Sequence, residues 1–409
     1  MFQRRLLIWA LVILLCWTQI AFAQDEFAPL VEGNNAFAFE LYQQLAATNE
    51  GNILYSPYSI SVALAMTYAG ARGDTEQQMR DTLHFDLPQA ALHPAFNALS
   101  VEFTNRAEEY TAYDVEALQL NIANALWGEQ TLPFNPNFTA TIEENYGQAL
   151  LLVDFINAPE PAREMINEWV EEETENRIQD IVPQGAINPD TRLVLANAIY
   201  FNAGWHSTFD EMFTRDDTFN LLDGSQEVVP MMNQQTEFNY GRGESYQAIE
   251  LPYWGEMSML ILLPDAGQFE TFEQGLNAET WNTVVAGLQM QEVNLFMPRF
   301  EYEFSTSLSD ALSEMGMPIA FSNAADFSGM ADASLAISDV LHKAFIKLDE
   351  AGTEAAAATV VIVEATSAQL PQEAIELRID RPFAYAIFDQ RTGSILFMGR
   401  VLNPATQEG

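Results

Sequence analysis

A single cysteine, Cys16, is all the sequence offers to thiol chemistry, and it lies within the first 23 residues. Arg4 and Arg5, the apolar run Leu6 to Leu15, and Ala21-Phe22-Ala23 ahead of Gln24-Asp25-Glu26 form a signal-peptide pattern with cleavage after Ala23. The alternative of a lipid-anchored Cys16 is disfavoured by the bulky Leu15 before it. Removal of residues 1–23 then leaves no disulfide, no thiolate nucleophile and no cysteine metal ligand. The apolar run is too short to span a bilayer, and no later run replaces it. The expectation is an exported, soluble protein without a membrane partner.

Positive charge is equally scarce. Lysine and arginine total 17 against 58 acidic residues, a formal net charge of −41. Loss of Arg4 and Arg5 with the leader makes it 15 − 58 = −43. Nucleic acid, heparin-like polyanions and anionic lipid are therefore excluded as partners. Only four histidines occur, His84, His93, His206 and His342, and none is three or four residues from another. No zinc-binding helix follows, and no metal or cofactor is expected. The nucleophile turn G-x-S-x-G, the phosphate loop and the dinucleotide fingerprint are all missing, so the motifs give no enzyme.

What is present divides cleanly. No Pro/Ser/Gly-rich linker and no repeat interrupts residues 24–409, which read as one domain. Phe37, Leu41 and Leu45 repeat at helical spacing over 34–47. Ser56-Pro57 starts a second helix over 58–71 that is apolar or small on nearly every side, hence buried. Residues 161–178 set Met165, Trp169 and Ile178 against Glu171, Glu172, Glu173 and Glu175, a surface helix lying on something apolar. Leu193 to Phe201 is a nearly unbroken apolar run, the pattern of a strand covered on both faces. Further strands are expected over 227–232, 248–251, 258–263, 292–297 and 394–401. Helices and strands come in mixed order, which gives an α+β fold.

Residues 350–380 carry the functional signal. Glu354 to Ala358 favours helix while Thr359 to Val363 favours strand, and such conflicts mark switching elements. Alternate side chains of a strand face opposite sides. One parity holds Thr353, Ala355, Ala357, Thr359, Val361, Val363 and Ala365, uncharged and none large; the other carries Glu354 and Glu364. The segment can therefore join a sheet with its small face inward and both glutamates in solvent. An ordinary edge strand or an alanine-rich linker fits the composition as well.

Five blocks turn this pattern into a resemblance. They are Asn52-Ile53-Leu54-Tyr55-Ser56-Pro57 with Gly70-Ala71-Arg72-Gly73-Asp74-Thr75, Asn197 to Trp205, Leu251-Pro252-Tyr253 with Leu260 to Pro264, Phe321 to Gly329, and Arg381-Pro382-Phe383 with Gly393 to Val401. Together they resemble the serpin family over nearly all of residues 24–409. The resemblance implies three β-sheets surrounded by eight to nine helices, with an exposed reactive-centre loop at about 350–380. It also implies an irreversible suicide-substrate inhibitor of serine proteases, with cysteine proteases as a second class of target. The protease cleaves the loop, and the cleaved loop inserts into the central sheet and traps the covalent acyl-enzyme.

The hinge is Glu350, Gly352, Thr353, Glu354, Ala355, Ala356, Ala357, Ala358 and Thr359; Ala351 stands where the family commonly has a charge. Family spacing counts the scissile residue seventeenth from Glu350 (366 − 350 + 1 = 17), giving Thr366-Ser367, with Leu370 as a second candidate. Small and β-branched side chains there suit elastase-like or subtilisin-like proteases rather than trypsin-like ones. Ser56, Ser59, Asn197 and His342 match the family's shutter, and Trp205 and Arg299 its breach, with Glu350 as the partner of Arg299. A monomer is expected, with polymerisation as the hazard of a sheet that accepts strands. The rival within the family is a non-inhibitory carrier, chaperone or storage protein.

Overall fold

Ser56 and Pro57 set the centre of the fold. The structure is a computed structural model that describes residues 27–111, 119–147, 150–353 and 374–405. The Ser56 hydroxyl accepts the backbone N–H of Ser59 at 3.1 Å, and Pro57 occupies the first turn, where no N–H is needed. The helix so started, Pro57–Tyr68, buries eleven of its twelve residues and runs between two sheets. The nine α-helices among the described residues are α1 (27–48), α2 (Pro57–Tyr68), α3 (Gly73–Thr82), α4 (Gln89–Thr111), α5 (Pro136–Tyr146), α6 (Pro159–Glu173), α7 (Phe269–Gln274), α8 (Ala278–Gly287) and α9 (Ser309–Met315). None of them is long and apolar enough to cross a membrane.

The larger sheet has nine strands, ordered β1 (Ile53–Tyr55), β15 (Ile395–Val401), β14 (Phe383–Asp389), β8 (Met257–Pro264), β7 (Tyr246–Pro252), β6 (Gln226–Arg242), β9 (Gln289–Pro298) and β13 (Ile375–Arg378), with β5 (Arg215–Asn220) on β6. The smaller has six: β10 (Phe300–Ser307), β11 (Asp339–Leu348), β12 (Gly352–Thr353), β4 (Leu193–Gly204), β2 (Gln119–Glu129) and β3 (Leu150–Val153). The resemblance implies three sheets, and hydrogen bonding joins two of them. The cause is β6, whose 17 residues pair with β5 and β9 and, at the far end, with β7. Sequence patterning marks only 227–232 of it as strand, because Gln234, Gln235 and Glu237 interrupt the apolar alternation.

The main core fills the space around α2. A second one lies on the outer face of the six-stranded sheet, where Ile166 and Val170 of α6 sit on Ala123 and Ala125 of β2 and Ala196 and Ala198 of β4. Alanines there let the helix approach closely. Burial of Ile166 and Val170 contributes roughly 1.5–3 kcal/mol each. The helix stops five residues before the expected end at 178. Thr174 Oγ1 donates to Val170 O at 2.7 Å, and Glu175 and Asn176 take left-handed φ of 52° and 62°. The chain thus reverses and returns Ile178 to the same core.

Candidate functional site

β4 and β11 lie side by side in the middle of the six-stranded sheet. They run parallel and are paired from Val194 with Asp339 to Tyr200 with Phe345. Beyond that rung they part, and a third segment fills the gap. Thr353 is opposite Ala203 on one side and Leu348 on the other, and Gly352 is opposite Gly204. Gly352 is required by close approach, since a Cβ there would lie 2.2 Å from Ala203 O. The start of the expected hinge is therefore already seated between the two strands.

Four side chains hold the turn that delivers it. Trp205 Nε1 donates to Asp349 O at 3.0 Å, and its ring stacks on Tyr253 with centroids 4.2 Å apart and planes 11° apart. Arg299 Nε donates to Glu350 Oε1 at 2.8 Å, joined by a second donor from Nη2 and by the Thr214 hydroxyl. The Glu350 side chain is 6% exposed and that of Arg299 38%. A carboxylate so deeply placed depends on its donors, so this pair matters more than a surface ion pair does. Thr353 Oγ1 shares a 2.6 Å hydrogen bond with Tyr253 Oη.

Lower in the sheet the four expected shutter residues meet in one chain of hydrogen bonds. Ser56 N–H donates to His342 Nε2 at 3.3 Å, so Nε2 is the acceptor and Nδ1 carries the proton, which it donates to Asn197 Oδ1. Asn197 Nδ2 donates to Ser59 Oγ at 2.6 Å and to Asn124 Oδ1. Ser59 Oγ donates to Asn124 Oδ1 at 3.1 Å, and Asn124 Nδ2 returns a bond to Ser59 O at 3.2 Å. Burial pushes the His342 imidazole down to a pKa of about 3. Protonation would also turn Nε2 into a donor facing the Ser56 N–H. His342 and Asn197 are direct cross-strand partners on β11 and β4, so this cluster ties shut the seam at which Thr353 stands higher up.

Sequence reasoning gave three participants no role at the site: Asn124, Thr214, and Tyr253, which it met only within the block Leu251-Pro252-Tyr253. Asn124 had one signal, a polar side chain within the otherwise apolar stretch Ile122 to Trp127. The hinge residues Glu354, Ala355, Ala356, Ala357, Ala358 and Thr359, the scissile pair Thr366-Ser367, Leu370 and the leader 1–23 lie outside the described residues. Among the described residues no group of three or more His, Cys, Asp or Glu is arranged to hold a metal.

Residues 32–404 match the family described as Serpin (serine protease inhibitor), whose members are inhibitors rather than enzymes in general. An uncharacterized serpin-like protein of Thermococcus kodakarensis is 40% identical over 378 residues, 92% of this chain and 86% of its own length. The leukocyte elastase inhibitor of Sus scrofa is also 40% identical, over 92% of this chain and 99% of its own. Among solved structures, human thyroxine-binding globulin complexed with thyroxine superposes with a TM-score of 0.80 at 31% identity, covering 91% of this chain and 98% of that one. Matched over more than nine-tenths of its length and folded around the same sheet, the chain belongs to the serpin family.

Proposed function

We propose that this serpin is an irreversible inhibitor of elastase-like or subtilisin-like serine proteases that works by inserting its cleaved loop between β4 and β11. The observation that carries the reading is the register of Thr353. Continued along β4, its pairing sets residue 359 opposite Asn197 (353 + 203 = 359 + 197). Continued along β11, it sets residue 359 opposite His342 (353 + 348 = 359 + 342). Asn197 and His342 already face each other, so both neighbours of an inserted strand agree on one rung, and Thr359 would enter the shutter. β4 has 12 residues and gives room for 352–363, the stretch without a charged residue other than Glu354.

The same register sharpens the parity reading. Thr353 points inward to Tyr253, so the odd positions through Val363 would face the main core. The even positions Ala358, Val360 and Ile362 would lie beside Ala198, Ala196 and Val194, which α6 covers. Both faces of the middle of the inserted strand are thus buried, and that is why only small and aliphatic residues occur there. Glu354 would sit beside Asn202 and Lys347, at the end of the covered stretch, and Glu364 beyond the last rung of β4.

In the reaction the protease serine Oγ gives its proton to the protease's own base and attacks the Thr366 carbonyl carbon, the Thr366–Ser367 amide bond breaks, and the Ser367 nitrogen takes up that proton and leaves as a free amine. The ester stays on Thr366. Insertion carries it toward the far end of β4, and the strained protease no longer hydrolyses it. No lysine or arginine occurs between Glu350 and Leu377, which disfavours trypsin-like targets; Leu370 is the alternative bond. Export through cleavage of residues 1–23 and action as a monomer belong to the same reading, and cysteine proteases are a second class of target. The likeness to thyroxine-binding globulin keeps a carrier role as the rival.

Incubation with pancreatic-type elastase and with subtilisin, followed by denaturing electrophoresis and intact mass measurement, tests the proposal. The expected product is a covalent species of protease plus inhibitor cut after Thr366. Cleavage without such a species, for every protease class tried, would refute it.

A further inference from the structure

Tyr253 follows β7 and forms an isolated bridge with Trp205. Its ring lies flat on the Trp205 indole and meets Phe201 edge-on at 5.2 Å, and the residue is 3% exposed. The ring cannot swing out without giving up both aromatic contacts. Its hydroxyl is thereby fixed at one point, 2.6 Å from Thr353 Oγ1, and Thr353 is itself 1% exposed. Burial holds the phenol protonated far above neutral pH, so the contact is a neutral hydroxyl pair.

The position of that pair gives it a kinetic meaning. A strand that joins a sheet must first fix one residue against the loss of chain entropy, before any ladder of bonds repays it. Thr353 is that residue, paired on both sides. Every later rung of an inserted strand would continue from it.

We propose that Tyr253 is a positioning residue for loop insertion: its hydroxyl, braced by Trp205, seats Thr353 between β4 and β11 before a protease arrives and so sets how much protease is trapped rather than released. The proposal rests on the inhibitory reading above. Tyr253 is remote in sequence from the scissile bond and takes no part in acylation. It acts on the competition that follows, between insertion and hydrolysis of the ester.

Tyr253→Phe keeps the ring and removes only the oxygen, Thr353→Val removes the partner oxygen, and Thr353→Ser keeps it. Loss of one buried hydrogen bond slows insertion by about two- to twelvefold. The inhibitor wasted per protease trapped should rise by that factor in Tyr253→Phe and Thr353→Val, with the second-order rate of loop attack unchanged. Thr353→Ser should stay near wild type, and the double variant Tyr253→Phe/Thr353→Val should be no worse than the poorer single one. Wild-type stoichiometry in Tyr253→Phe, or additive losses in the double variant, would overturn the proposal. Hydrogen exchange of the Gly352 and Thr353 amides in the free protein reads the seating without any protease. Exchange should accelerate in Tyr253→Phe and Thr353→Val but not in Thr353→Ser, and unchanged exchange would sink the seating claim. A wild-type protein that traps no protease while these exchange shifts appear would instead refute the inhibitory reading alone.

Discussion

Replacement of Thr359 by arginine probes the shutter register most sharply. Position 359 converges on Asn197 along β4 and on His342 along β11, a rung where both neighbours are fully buried. An inserted arginine would face inward, on the same parity as Thr353, with no carboxylate in the hydrogen-bonded cluster of Ser56, Ser59, Asn124, Asn197 and His342 to receive it. An uncompensated buried charge costs about 3–5 kcal/mol. Felt in the insertion step, that is a slowing of roughly two to more than three orders of magnitude. Hydrolysis of the acyl-enzyme then wins, and Thr359→Arg becomes a substrate. Position 359 is seven residues before the expected scissile bond, so the rate of cleavage should hold. Glu354→Gln is the matched control, because residue 354 would lie beside Asn202 and Lys347 at the edge of the covered stretch. Titration of a fixed amount of elastase with each variant, read by residual activity and denaturing electrophoresis, separates the outcomes. Stoichiometric trapping by Thr359→Arg, or loss of trapping by Glu354→Gln, would refute the register.

The remaining predictions concern stability and the breach. His342 titrates at about 3 in the fold against 6.5 as its ordinary value, and His93, also desolvated, at about 4. The unfolded chain therefore binds these protons first, so their contribution is complete above about pH 6.5 and is lost as pH falls toward 3 to 4. Urea unfolding midpoints at stepped pH should decline across that window, and His342→Gln should make the decline shallower by about one proton; an unchanged slope would contradict the neutral, doubly bonded imidazole. Arg299→Ala should destabilise the protein by about 1–3 kcal/mol, because Glu350 keeps its burial and loses its charged donor. Thermal unfolding checks this, and a shift of under one degree would mean that solvent replaces the arginine.

How much of this could be read from residues alone varied with the range of the interaction. α2 was legible because its signal is local: a hydroxyl cap, a proline in the first turn and an apolar surface all round. β4 was legible for the same reason, as a run apolar except for Asn197 and covered on both faces. The ends of α6 and the length of β6 were not, since a threonine bonding back to Val170 and a polar stretch held between two partner strands depend on what the chain meets in space. At the site, family motifs named Ser56, Ser59, Asn197, His342, Trp205 and Arg299. Asn124 carries no motif of its own, and Tyr253, although it ends the Leu251-Pro252-Tyr253 block, received no role from it; a polar residue in a strand and a core tyrosine have many ordinary uses. Their roles come from partners 65 and 100 residues away, Ser59 and Thr353. The parity of the loop was visible in sequence, but the cover that α6 would give to its second face on insertion was not.

The central claim is that cleavage lets residues following Thr353 enter the sheet. Its most direct test is the unfolding temperature of the protein before and after a single cut near Thr366, measured by calorimetry on material verified by mass. An added central strand, bonded on both sides and carrying buried Val360, Val361, Ile362 and Val363, should raise that temperature by tens of degrees. A cut protein that melts where the intact one does would show that the loop stays outside, and the trapping mechanism would fall with it.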